Sequence, residues 1–190
     1  MNIANKLTLL RIVLIPFYIL FLLLPLTRYH FWIACVIFIF SSITDMLDGK
    51  LARKHGIVTD FGKFADPIAD KLVVLSAMIC FVQIDMMPAW ACIIIMAREI
   101  IISGFRLIVA GKGSVLAASY LGKIKTVTQM AFIIITTFNF SYYFEEAAPG
   151  LCNVIEIIRI VVMYIAIVMT IWSLIDYLYK NRKFLSLSDI

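Results

Sequence analysis

The chain has 190 residues, of which 63% are hydrophobic and 15% are charged, and its formal net charge is +5. Soluble globular domains are typically about 45–50% apolar and about 25% charged. This composition therefore excludes a soluble globular protein and predicts an integral membrane protein. The length allows one domain, and no Pro-, Gly- or Ser-rich linker divides the chain.

Apolar segments long enough to cross a bilayer, which requires about 20 residues in a helix, occur six times along the chain. We predict an all-α fold, with one domain over residues 1–190 and six transmembrane helices at Thr8–Leu26, Phe31–Ala52, Phe61–Val82, Pro88–Ala110, Gly122–Phe144 and Ile155–Tyr179. Polar and apolar residues mix in Met1–Leu7, which predicts a short N-terminal interfacial helix. No small-residue cleavage pattern follows the first span, so we expect it to be retained.

Basic residues are distributed unevenly between the predicted connections. The positive-inside rule places the basic side in the cytoplasm, so both termini and the second connection are expected there, in a multi-pass plasma-membrane protein. That side collects Lys6, Lys50, Arg53, Lys54, Lys63, Lys112, Lys123, Lys125, Lys180, Arg182 and Lys183. The same charge suits anionic lipids and substrates. We expect no nucleic-acid partner.

The cysteines are widely separated, and no CxxC or Cys/His pair occurs. Cys35, Cys80 and Cys92 lie within apolar segments, which predicts buried packing thiols rather than a metal site or a disulfide.

Four aspartates are arranged in two helically spaced pairs on successive predicted spans. Asp45 and Asp48 are three residues apart, and Asp66 and Asp70 are four apart, so each pair lies on one helix face. A hairpin around Lys54–Gly56 would bring the two faces together near the cytoplasmic end. Each intramembrane carboxylate costs about 2.5–3.5 kcal/mol on insertion scales, and four would also repel one another. A bound cation is therefore the expected compensation.

The donor chemistry narrows the choice of cation. Carboxylate oxygens suit Mg²⁺, Mn²⁺ or Ca²⁺ rather than zinc, and two such ions about 3.5–4 Å apart would polarise a phosphoryl oxygen. The alternative is an ion-pair network with Lys50, Arg53, Lys63 and Lys71.

The residues around these aspartates match the pattern D-x2-D-G-x2-A-R-x8-G-x3-D-x3-D at Asp45, Asp48, Gly49, Ala52, Arg53, Gly62, Asp66 and Asp70. The pattern resembles the signature of the CDP-alcohol phosphotransferase family. The resemblance implies six transmembrane helices, a homodimer and a polar cavity open to the cytoplasm. It also implies transfer of a phosphatidyl-type group from a CDP-linked lipid to an alcohol, with release of CMP.

The same resemblance implies roles for individual residues. Two divalent ions, Mg²⁺ or Mn²⁺, would be held by Asp45, Asp48, Asp66 and Asp70. Asp70 would also act as general base on the attacking hydroxyl. The cytidine nucleotide would be bound by Asn5, Thr8, Asp45, Gly49, Ala52, Arg53, Gly62 and Asp66. Asn5 and Thr8 belong to an N-x2-T-x2-R segment that ends at Arg11; interfacial anchoring and helix capping are its alternative interpretation.

Basic residues in the fourth and fifth predicted spans indicate which alcohol accepts the phosphatidyl group. The segments Ala97-Arg98-Glu99, Gly104-Phe105-Arg106 and Gly122-Lys123-Ile124-Lys125-Thr126, with Gln129, resemble the phosphatidylglycerophosphate synthase branch. That branch uses sn-glycerol 3-phosphate with CDP-diacylglycerol. The acceptor phosphate would be bound by Arg98, Arg106, Lys123 and Lys125.

Other interpretations of the basic residues stay open. Arg98 could instead form a fixed pair with a carboxylate. Lys123 and Lys125 cannot share a helix face, so one could serve the cavity while the other is solvated.

Three alternative functions differ in their sequence requirements. Another acceptor, such as serine, inositol phosphate or phosphatidylglycerol, would preserve the family. An intramembrane prenyltransferase would carry its two aspartate motifs far apart, whereas both pairs here lie on one hairpin. A cation channel or transporter would also use intramembrane acids, but it predicts ion flux and no cytidine-dependent product.

Overall fold

A computed structural model describes the backbone of residues 3–55, 60–111 and 119–185 and the side chains of residues 6–44, 67–111, 119–182 and 184. Within these ranges the chain is helical and contains no strand, which confirms the all-α prediction. The described helices are α1 (Ile3–Leu23), α2 (His30–His55), α3 (Asp60–Gln83), α4 (Ala89–Gly111), α5 (Tyr120–Phe138), α6 (Phe140–Phe144) and α7 (Pro149–Lys180), followed by a 3₁₀ turn at Arg182–Leu185.

The N-terminal interfacial helix predicted for Met1–Leu7 is not a separate element. Ile3–Leu7 forms the beginning of α1, which continues without interruption to Leu23. Neither a glycine nor a proline occurs at the junction of Leu7 and Thr8 to end a helix there. Ending a helix there would leave backbone groups without their intrahelical hydrogen bonds, so the helix continues.

The predicted fifth span, Gly122–Phe144, is divided into two helices. Asn139 adopts a left-handed conformation with φ 42°, which ends α5 and starts the short α6. Asparagine tolerates this conformation better than most residues. The sixth predicted span starts earlier than expected, because Pro149 begins α7 and proline suits the first turn of a helix.

Two described helical segments are long and apolar enough to cross a membrane. They are Lys6–Leu23 within α1 and Pro149–Lys180, while His30–Thr44 is a shorter apolar segment. These lengths and compositions support membrane insertion. The six-span topology stays a prediction.

The chain forms two compact units. The first unit comprises residues 1–87 and 133–149, and within it α1 packs against α2 and α3, which also touch each other. Its core includes Phe38 and Phe81. The Tyr18 hydroxyl lies 3.0 Å from Thr137 Oγ1 in a buried hydrogen bond between α1 and the end of α5. The aspartate-bearing helices α2 and α3 both belong to this unit.

The second unit comprises residues 88–132 and 150–190, and it contains α4, the first part of α5 and nearly all of α7. Part of its core is an apolar cluster of α4 residues, Ile102, Phe105 and Val109, with Tyr177 from α7. Buried polar contacts also join α4, α5 and α7, and two of them involve the basic residues Arg98 and Lys125.

All four cysteines of the chain are free thiols in buried positions. This confirms the packing role predicted for Cys35, Cys80 and Cys92. Burial in an apolar environment makes each of them a small hydrophobic side chain.

Candidate functional site

The aspartate signature lies on α2 and α3. The backbone places Asp45 and Asp48 one turn apart on α2, and Asp66 and Asp70 one turn apart on α3. Of these four aspartates, Asp70 is the one whose side chain is described. The side chains of Asp45, Asp48 and Asp66, and those of Asn5, Gly49, Ala52, Arg53 and Gly62, lie outside the described residues. Convergence of the four carboxylates therefore stays a prediction.

Asp70 forms an ion pair with Arg11 of α1. Arg11 Nη1 donates a hydrogen bond to Asp70 Oδ1 across the contact between α1 and α3. The Arg11 residue is only 1% exposed, whereas the Asp70 side chain is 44% exposed. A buried guanidinium requires a counter-charge, and Asp70 provides one while keeping part of its carboxylate accessible.

The burial of Thr8 and Arg11 shows which way these residues of the N-x2-T-x2-R segment face. Thr8 lies one turn before Arg11 and is fully buried. Residues that anchor a helix in the interface would contact water and lipid headgroups. The burial of Thr8 and Arg11 therefore disfavours interfacial anchoring and places their polar groups inside the first unit.

The described part of the chain contains no group of three or more His, Cys, Asp or Glu side chains that could hold a metal ion. The Asp70 side chain pairs with Arg11 but is 44% exposed, so its carboxylate is partly accessible. Carboxylate oxygens of this kind fit a hard divalent cation.

Arg98, Glu99 and Lys125 form a buried ionic cluster in the second unit. Glu99 Oε1 accepts hydrogen bonds from Arg98 Nη1, at 3.1 Å, and from Lys125 Nζ. Arg98 Nε donates to Ser173 Oγ of α7 at 3.2 Å. The pair between Arg98 and a carboxylate, which was the alternative interpretation of Arg98, is therefore present, and it includes Lys125 as a third member. Binding of the acceptor phosphate by Arg98 stays a prediction.

Lys123 and Lys125 occupy opposite environments on α5. Lys125 is 4% exposed, whereas Lys123 is exposed to solvent or lipid. Residues two positions apart on a helix point in different directions. The two lysines therefore differ in exposure, as their spacing predicts, and the buried one is Lys125. Its role in a cavity stays a prediction.

Arg106 lies two turns after Arg98 on α4 and is held by Tyr177 of α7. Arg106 Nε donates to the Tyr177 hydroxyl at 3.1 Å, and the guanidinium carbon lies 5.4 Å from the centre of the Tyr177 ring. Tyr177 is 2% exposed, so its hydroxyl has a fixed position. The Tyr177 side chain therefore orients Arg106, which is exposed, so that its charge stays accessible.

Sequence analysis missed the polar face of α7. Thr170, Ser173 and Tyr177 are buried and lie at helical spacing on one face. Thr170 Oγ1 accepts a hydrogen bond of 3.0 Å from Gln129 Nε2 of α5. Small polar residues spaced three to four apart in an apolar helix are typical of helix contacts in membranes, and this spacing could have identified the face.

Residues 1–172 match the family model described as CDP-alcohol phosphatidyltransferase. The chain therefore belongs to the CDP-alcohol phosphatidyltransferase family. This membership and the apolar helices together indicate a membrane protein.

Three relatives that are similar to this chain are each named CDP-diacylglycerol–glycerol-3-phosphate 3-phosphatidyltransferase. The Bacillus subtilis protein is 45% identical over 140 residues, which cover 68% of this chain and 72% of that protein. The Haemophilus influenzae protein is 40% identical, with 93% of this chain and 91% of that protein covered. The Escherichia coli K12 protein is 37% identical, with 95% of each chain covered.

Proposed function

We propose that this protein transfers the phosphatidyl group of CDP-diacylglycerol to sn-glycerol 3-phosphate, giving phosphatidylglycerophosphate and CMP. The observation that carries the proposal is the similarity of this chain, over nearly the full length of both proteins, to transferases whose name states this reaction. The buried basic cluster in the second unit adds independent support, because a phosphate-bearing acceptor requires cationic donors.

In the proposed reaction, a hydroxyl oxygen of the acceptor attacks the phosphorus that bears diacylglycerol. A new P–O bond forms, the diphosphate P–O bond breaks, and CMP leaves with the bonding electron pair. Asp70 takes the hydroxyl proton. The ion pair with Arg11 supports this role, because it orients a carboxylate that is still partly accessible.

Two divalent ions, Mg²⁺ or Mn²⁺, are the proposed cofactors, with Asp45, Asp48, Asp66 and Asp70 as their ligands. Bound ions would neutralise the diphosphate and the developing charge on the leaving CMP. The nucleotide is bound by the signature and α1 residues Asn5, Thr8, Asp45, Gly49, Ala52, Arg53, Gly62 and Asp66. Burial of Thr8 supports an inward-facing role for α1.

The acceptor phosphate is bound by Arg98, Arg106, Lys123 and Lys125. The proposal is best supported for Lys125 and Arg106: Lys125 is buried in the ionic cluster, and Arg106 is exposed but held on Tyr177. Arginine supplies forked donors that match phosphate oxygens, whereas lysine supplies a compact charge.

The proposed topology has six membrane-spanning helices, with the termini and the active site on the cytoplasmic side of the plasma membrane. Both compact units belong to one catalytic domain over residues 1–190, and the family match across both units supports this assignment. The protein is proposed to act as a homodimer.

The test is an acceptor assay with protein purified in detergent and CDP-diacylglycerol as donor. Glycerol 3-phosphate, serine, inositol phosphate and phosphatidylglycerol are supplied separately, and CMP and lipid products are identified by mass spectrometry. We expect CMP and phosphatidylglycerophosphate with glycerol 3-phosphate. Preference for another acceptor would overturn the substrate assignment and preserve the family. Ion flux in liposomes without any lipid product would favour a channel.

The metal and base assignments have their own test. Chelation should abolish turnover, and added Mg²⁺ or Mn²⁺ should restore it. Asp70→Asn should lower kcat by about 100-fold or more, because removing a general base typically costs 10²–10⁴-fold. Mn²⁺ binding measured on the same variant separates loss of the base from loss of the ion. Near-normal turnover in Asp70→Asn with intact Mn²⁺ binding would contradict the base assignment.

A further inference from the structure

One carboxylate oxygen joins two buried cations in the second unit. Glu99 Oε1 accepts from both Arg98 Nη1 and Lys125 Nζ, and the Glu99 side chain is itself 13% exposed. Because the two donors come from α4 and α5, this oxygen fixes the distance between an arginine on one helix and a lysine on the next.

The three named side chains together carry one more positive than negative charge. Arg98 and Lys125 contribute two positive charges and Glu99 contributes one negative charge. Glu99 cannot bind an anion itself, because an ionised carboxylate only accepts hydrogen bonds. Without Glu99, however, two buried cations would repel each other, and neither would have this counter-charge.

The guanidinium of Arg98 makes one further hydrogen bond, and Gly122 lies near it. Its Nε donates to Ser173 Oγ on α7, at 3.2 Å. Gly122, near the start of α5, is close to the same guanidinium, because a Cβ added at Gly122 would lie 3.7 Å from Arg98 Nη2. Arg98 is therefore hydrogen-bonded to α7 as well as to Glu99, and Glu99 links it to the side chain of Lys125.

We propose that Glu99 is a positioning residue for the acceptor: it aligns Lys125 with Arg98 so that both cations can bind the phosphate of glycerol 3-phosphate. This inference rests on the proposed function, because it needs a phosphate-bearing acceptor. Glu99 thus contributes to phosphate binding indirectly, through Lys125 and Arg98, because its own carboxylate cannot bind an anion.

The experiment measures steady-state kinetics of Glu99→Gln in the intact protein in detergent, with each substrate varied in turn. Glutamine preserves the size of the side chain and removes its charge. We expect the KM for glycerol 3-phosphate to rise about ten- to hundredfold, the loss that follows when one charge-assisted hydrogen bond is misplaced. The KM for CDP-diacylglycerol and kcat should change by less than about threefold. Glu99→Asp, which keeps the charge, should recover most of the affinity.

Glu156→Gln is the matched control. Glu156 is also ion-paired, with Arg159 three residues later on α7, and it has no assigned role in binding or chemistry. This variant should keep both KM values.

If Glu99→Gln does not yield folded protein, Ser173→Ala decides the question. This variant removes the hydrogen bond between Arg98 and α7, so it should raise the KM for glycerol 3-phosphate selectively. Equal effects on both substrates, or a lower melting temperature with an unchanged KM, would show that Glu99 is purely structural and overturn the inference. A wild-type protein that does not use glycerol 3-phosphate would instead overturn the proposed function, together with the inference built on it.

Discussion

Arg11 is the buried member of an ion pair whose other member, Asp70, carries the proposed catalytic role. Arg11→Met keeps a side chain of similar length but removes the charge and the hydrogen bond to Asp70 Oδ1. We expect a fall in both stability and turnover. The two effects have different origins, so they can be measured separately.

The stability effect follows from the exposure of the two partners. A hydrogen bond to a charged group contributes about 1.5–3 kcal/mol. Because the Asp70 side chain is 44% exposed, water can replace part of what Arg11 provides, and the loss should lie near the lower end of that range. A loss of about 1–2 kcal/mol corresponds to a decrease of several degrees in melting temperature.

The effect on turnover follows from the orientation of Asp70. Partners that orient metal-binding side chains typically contribute 10- to 100-fold to metal affinity or activity. We therefore expect Arg11→Met to lower kcat by about 10- to 100-fold. Arg11→Lys should fall between Arg11→Met and the wild type, because lysine keeps the charge but loses the forked donor geometry.

The assay combines thermal unfolding in detergent with steady-state kinetics and Mn²⁺ binding. Arg159→Met is the control, because it removes another arginine from an ion pair, with Glu156, that has no assigned role. A double-mutant cycle with Asp70→Asn should give a coupling energy of about 1–2 kcal/mol. Additive effects, or normal kcat and Mn²⁺ affinity in Arg11→Met, would refute the reasoning.

Two further predictions concern buried hydroxyl groups. Tyr177→Phe removes the hydrogen-bond acceptor for Arg106 Nε and keeps the aromatic ring. The KM for glycerol 3-phosphate should therefore rise about fivefold, which is equivalent to about 1 kcal/mol. An unchanged KM would argue against Arg106 as a phosphate ligand. Thr137→Val removes the described partner of the buried Tyr18 hydroxyl and should lower the free energy of unfolding by about 1–3 kcal/mol. Adding Tyr18→Phe should recover part of that loss in thermal unfolding, and a larger loss in the double variant would contradict the assigned hydrogen bond.

The sequence by itself determined the helical class, the membrane character and the family. Long apolar segments require helices in a bilayer, because each helix satisfies its own backbone hydrogen bonds. The aspartate signature from Asp45 to Asp70 identified the family, since its fixed spacing is directly visible in the chain. Helical periodicity also predicted that Lys123 and Lys125 lie on different faces, because this depends only on local geometry, and the structure showed that Lys125 is the buried one.

Only the tertiary structure decided which side chains meet. Asp70 pairs with Arg11, 59 positions away, and Glu99 bridges to Lys125, 26 positions away. The break at Asn139 likewise has no glycine or proline signal of its own. Hydropathy and spacing describe one helix at a time, whereas partner choice depends on which faces of different helices are packed together. For this reason the sequence revealed the ionisable residues, and the packing of the helices revealed their partners.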